Sequence, residues 1–128
     1  VKKVSELTGS DLNYWVARAA GLSNAKLRRV GPTEKGGFVF VEHVQTDGNT
    51  LYSPSSDWKH GGPIIEREAI ELRKHWQRES WSARIDSDRH VLAPRYGYGE
   101  TPLIAAMRAY VSSRYGDSVP ADEQEENQ

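Results

Sequence analysis

The sequence predicts a small α+β domain, and three observations carry the prediction. Residues 8–20 and 101–115 each show apolar side chains at helical spacing between recognisable caps. Residues 38–44, Phe-Val-Phe-Val-Glu-His-Val, are dense in the β-branched and aromatic types that favour strands. Trp81, Ala83 and Ile85 alternate as one face of a further strand. The expected architecture is a small antiparallel sheet of three to four strands packed with two or three helices. The terminal helices would cover the sheet.

Taken in order, the first helix is bounded by Thr8, a capping residue, and by Gly21, which stops it; Asp11 suits the positive end. Leu12, Trp15, Val16, Ala19 and Ala20 form its apolar face, which makes Trp15 a core residue. Residues 25–30 read as a short strand, and Gly31-Pro32, Gly36 and Gly37 as turn. That strand and 38–44 would pair as a hairpin, with Lys26, Arg28 and Arg29 towards solvent. Residues 47–49, Asp-Gly-Asn, close the second strand with another turn.

An ordered irregular loop is expected over 52–62, followed by a short helix at 63–69 whose first position is Pro63. Here the period is ambiguous: Ile65, Ala69, Leu72 and Trp76 fall at helical spacing, while Ile70, Leu72, Lys74 and Trp76 alternate as in a strand. A strand over 70–76 is preferred to a continued helix. Pro94, Gly97 and Gly99 mark 89–100 as an irregular connection. In the last helix Thr101 caps, Pro102 takes the first helical position and Gly116 follows the final turn. Leu103, Ala106, Met107, Tyr110 and Val111 lie along one side.

With 128 residues the chain is expected to be one domain over 1–116, since domains most often run to roughly 100–150 residues. Residues 117–128 would be an acidic flexible tail. Absence of cysteine excludes a disulfide scaffold, cysteine-ligated zinc and thiol catalysis. No stretch approaches the roughly 18 apolar residues needed to span a bilayer, so no membrane partner is expected. The net charge of −1 hides an uneven spread: five of the 18 acids lie in 117–128, leaving 13 against all 17 Lys and Arg, a net of +4 over 1–116. That is well below the basicity of a dedicated duplex binder.

The least generic run is 52–68, with two aromatics, two prolines and a Gly-Gly pair ending at two isoleucines. Two readings stand beside each other. In the first, Tyr52 and Trp58 pin the loop to the body and Asp57 caps a turn. In the second, exposed aromatics and the amides of Gly61 and Gly62 receive a partner's backbone or an anion. Glu66 and Arg67 open the following helix and would pair with Arg108. Glu66 and Glu68 face different directions on a helix, which makes them a poor acid–base pair. His43, His60, His75 and His90 lack metal-ligand spacing, no serine has a nucleophile-elbow context, and no glycine run forms a phosphate loop. No catalytic residue, metal or cofactor is expected.

Three segments resemble a known family: Val4-Ser-Glu-Leu-Thr-Gly9 with Leu12, Val16-Ala17 and Gly21; residues 52–58 with Gly61-Gly-Pro-Ile-Ile-Glu-Arg-Glu68; and residues 101–111 with Gly116-Asp117. They are similar to NinX-type proteins of phages and prophages, a domain family of unknown function. Trp81-Ser-Ala83 and the Thr-Pro helix add a remote similarity to phage α/β/α sandwich domains. The resemblance implies a phage or prophage accessory protein in the cytoplasm of the bacterial host.

The function expected on these grounds is non-enzymatic binding of a host or phage protein, with homo-oligomers also open. The partner surface would be Tyr52, Asp57, Trp58, Gly61, Gly62, Glu66 and Arg67. The alternative is weak single-stranded nucleic-acid binding through Arg73, Lys74, Trp76, Arg78, Trp81 and Arg84, which mix phosphate attraction with stacking. Alternate positions on a strand face opposite ways, so convergence of these groups on one exposed face is the discriminating observation.

Overall fold

A computed structural model describes residues 2–22, 25–28, 38–43, 48–86 and 94–120, with the backbone only for those between 25 and 51. The chain is α+β. In order, the described elements are β1 (Lys2–Lys3), a 3-10 turn (Val4–Glu6), α1 (Gly9–Ala19), β2 (Ala25–Arg28), β3 (Phe38–His43) and β4 (Gly48–Leu51). There follow α2 (Trp58–Glu68), β5 (Glu71–His75), β6 (Ser80–Ile85), β7 (Arg95–Gly99), α3 (Pro102–Tyr115) and β8 (Ser118–Val119).

In place of the single sheet expected from sequence, the described strands form three antiparallel sheets, ordered β1-β8, β2-β3-β4 and β5-β6-β7. β2 and β3 do form the expected hairpin, with Lys26 opposite Phe40. β4 starts at Gly48, where a turn was expected, and pairs back on β3. The outward lean expected of Lys26, Arg28 and Arg29 lies outside the described side chains.

α3 is the organising element. Thr101 Oγ1 accepts from the Ile104 amide at 3.1 Å, Pro102 stands in the first turn, and Gly116 (φ 85°) ends the helix. Leu103, Ala105, Ala106, Met107, Ala109, Tyr110 and Val111 are all buried, on more than one side of the helix. α3 covers one face of the β5-β6-β7 sheet and also packs against α1 and α2. α1 in turn lies between α3 and the strands β2 and β3, so Tyr14 and Ala17 are buried along with the predicted Leu12, Trp15 and Val16. Thr8 precedes α1 in extended conformation but makes no side-chain cap bond.

Residues 95–99 form β7 where sequence suggested an irregular connection. Both glycines serve packing. A Cβ on Gly97 would strike the Ala105 carbonyl oxygen and the Ala109 amide, and one on Gly99 would lie 2.6 Å from Ile104 Cγ2. Alternating glycines let the backbone of a helix settle directly on the strand.

Residues 117–119, expected as the start of the flexible tail, belong to the fold. Asp117 accepts from the Val4 amide at 2.9 Å, and Ser118 and Val119 pair with Lys3 and Lys2. Val119 is buried. Residues 121–128 lie outside the described residues.

Candidate functional site

Residues 52–57 are ordered by buried groups. The side-chain oxygen of Asn13 on α1 accepts from both the amide (2.9 Å) and the hydroxyl (2.7 Å) of Ser55. Pro54 beside it is fully buried. Asp57 and Ser56 donate their amides to the Ser53 carbonyl, and the Ser53 amide donates to His60 Nδ1 at 3.0 Å. His60 lies against Tyr52, ring centroids 5.4 Å apart.

α2 starts at Trp58 rather than at Pro63, because Asp57 caps it: the carboxylate accepts from the Lys59 amide at 3.0 Å. Gly61 therefore sits inside the helix. A Cβ there would be 2.5 Å from the Pro54 carbonyl oxygen and 2.6 Å from Leu103 Cδ2, so this glycine buys close approach of loop, helix and α3. The helix closes on Ala69 in the left-handed region (φ 52°), with the Ile70 amide donating to the Ile65 carbonyl.

This arrangement corrects the expected anchor. Trp58 is 53% exposed, and its ring edge (Cε3) lies 3.9 Å from where a Cβ on Gly62 would stand. Tyr52, Pro54, Ser55 and His60 hold the loop, and Trp58 stands outside them. The expected pairing of Glu66 and Arg67 with Arg108 is replaced as well. Arg67 Nε donates to Glu68 at 3.0 Å and its Nη2 to the Tyr110 hydroxyl at 3.3 Å. Arg114 reaches the other Glu68 oxygen at 3.4 Å, and Glu66 is exposed. Burial, helped by Tyr110 and opposed by Arg67, pushes the Tyr52 phenol up to about 12.

The alternative surface is divided by strand geometry. Directly opposed residues share a sheet face. Register places Leu72, Lys74, Trp81, Ala83, Ile85, Gly97 and Gly99 on the face towards α3. The opposite face carries Glu71, Arg73, His75, Ser80, Ser82, Arg84, Tyr96 and Tyr98, with Arg84 opposite Glu71 and donating to Asp86 at 3.1 Å. Trp81 thus packs against the core, while Trp76 and Arg78 occupy the hairpin turn after β5. Trp76 is 80% exposed, with Lys74 Nζ 4.5 Å from its ring centroid. Of the six expected nucleic-acid residues, only Arg73 and Arg84 share the open face.

Tyr96 and Tyr98, exposed on that face beside them, were missed by sequence reasoning. Their signal was available in Tyr-Gly-Tyr-Gly: side chains to one side, close helix packing to the other. His60 and His75 have structural partners, the latter Ser82 Oγ at 2.8 Å. Among the described residues no group of His, Asp and Glu could hold a metal, and no helix is long and apolar enough to cross a membrane.

A family model described as "Bacteriophage P22, NinX" matches residues 3–114, which include α1, α2, β5–β7 and nearly all of α3. No curated protein matches the chain.

Proposed function

The chain belongs to the Bacteriophage P22 NinX family, and from that premise we propose that it is a non-enzymatic phage accessory protein that binds another protein in the host cytoplasm. The observation that carries this reading is Trp58, a large aromatic left half outside the fold on a rigid support. The buried Asn13–Ser55 bonds and the Asp57 cap hold its backbone, so little entropy is lost when a partner covers the ring. Tryptophan is enriched among residues that dominate interface energies. Lys59 beside Trp58 is exposed as well and adds a charged neighbour.

Affinity capture from phage-infected cells, comparing wild type with Trp58→Ala, tests it. The variant is expected to keep its stability within about 0.5 kcal/mol, as surface changes do, and to lose the captured partner. Retention of the same partner by the variant would remove Trp58 from the role.

A second reading is favoured by one observation. Tyr96, Tyr98, Arg73 and Arg84 share an open sheet face, which offers stacking platforms and phosphate contacts to a single strand. It replaces the surface first expected, since Lys74 and Trp81 belong to the opposite face.

A further inference from the structure

β7 is an edge strand: β6 pairs with one side of it, and no described strand pairs with the other. The direction of its free backbone groups follows from one bond. Arg108 Nη1 donates to the Tyr98 carbonyl at 2.7 Å, so that carbonyl points away from β6. In an antiparallel ladder a residue directs its N–H and C=O to the same side, and alternate residues behave alike. The Tyr98 amide and both backbone groups of Tyr96 therefore line the open edge.

A pocket of about 370 Å³ runs along this edge, walled by Lys3, Tyr96, Tyr98, Arg108, Ser112 and Ser118. Arg108 is fixed across it by its bonds to Tyr98 and, through Nε, to the Leu7 carbonyl at 3.1 Å. Those bonds use two of its N–H groups and leave the others open. No described carboxylate pairs with it at ion-pair distance. Burial lowers its pKa, and the nearby charge of Glu100 opposes the shift. Asp117, which also lines the pocket, is engaged by Arg95 at 3.3 Å.

We infer that the β7 edge is a docking site for an extended acidic peptide of a partner protein, which adds as a strand beside Tyr96–Tyr98 and sets a carboxylate on Arg108 and Lys3. Main-chain bonds would supply affinity, and the two cations would select acidic sequences. The site is separate from Trp58 and does not depend on the reading given above.

The test uses the full chain and dye-labelled hexapeptides of alternating Val and Glu or alternating Val and Lys, followed by fluorescence anisotropy. The acidic peptide is expected to bind at least about tenfold more tightly than the basic one. Lys3→Glu, at an exposed position, should remove most of that preference. Tyr96→Pro deletes an outward N–H without costing a ladder bond, so it should abolish binding while circular dichroism and melting stay as in wild type. Trp58→Ala should bind the peptide normally. Equal affinity for both peptides, or undiminished binding by a folded Tyr96→Pro, would overturn the assignment.

Discussion

Tyr52 shows how a single side chain reports the fold around it. Its phenol sits half-buried near Tyr110 and Arg67, and its pKa is pushed up to about 12, chiefly by loss of solvent. The unfolded chain releases this proton near pH 10, whereas the folded chain holds it to about 12. Folding then favours the protonated form, so the contribution of Tyr52 is complete below about pH 10 and is lost as pH rises from there through the folded value. Denaturation midpoints followed across that window should fall less steeply for Tyr52→Phe than for wild type. Identical slopes would show that burial does not hold the phenol neutral. Trp58, six positions along, has the opposite character, which is why one tyrosine anchors and the neighbouring tryptophan remains available.

The contact between β7 and α3 is where an element depends on its neighbour's backbone. Gly97 faces the Ala105 carbonyl and the Ala109 amide, and none of these can move aside as a flexible side chain would. Gly97→Ala is expected to destabilise the protein at the upper end of about 1–3 kcal/mol, the range for overpacked interiors. Gly62→Ala is the matched control, because its Cβ would meet only Trp58 Cε3 at 3.9 Å. That change should be neutral or gain up to about 1 kcal/mol of helix propensity. Chemical denaturation of both variants measures the difference; equal stabilities would mean that β7 and α3 can separate at little cost. The same principle explains α2, whose Gly-Gly-Pro run lies within the helix because Asp57 caps it earlier.

At the scale of the whole molecule, charge and exposed aromatics decide which ligands can be held. Residues 1–116 carry a net of +4, and the open face of the β5-β6-β7 sheet presents two arginines and two tyrosines with one acid, Glu71. If that face holds single strands, an oligonucleotide should bind at low salt with an affinity that falls steeply as salt rises, because phosphate contacts release counterions. Tyr98→Ala should then weaken binding by about 1–3 kcal/mol, the worth of one stacked base. Absence of any affinity at low salt would leave the face without this role. The β1–β8 pairing joins the two ends of the described chain, and Val119 closes the core there.

Much of the architecture was legible because local chemistry decided it. Thr101, Pro102 and Gly116 bounded α3, the apolar spacing of Leu12, Trp15 and Val16 marked the buried side of α1, and Trp81, Ala83 and Ile85 marked the inner face of β6. The family was legible in the motifs at 4–21, 52–68 and 101–117. What stayed hidden depended on groups distant in sequence. Asn13 satisfies Ser55 across the fold, α3 turns Gly97 and Gly99 from turn signals into a packing surface, and Val4 recruits Asp117 to the body. The sequence by itself determined the bounds of α3, the buried side of α1 and which family the chain joins, since caps and periodicity act over a few residues. Only the tertiary structure decided that the described strands form three sheets, that Trp58 stays outside and that Gly97 and Gly99 carry a helix, because burial is set by what the rest of the chain places against each side chain.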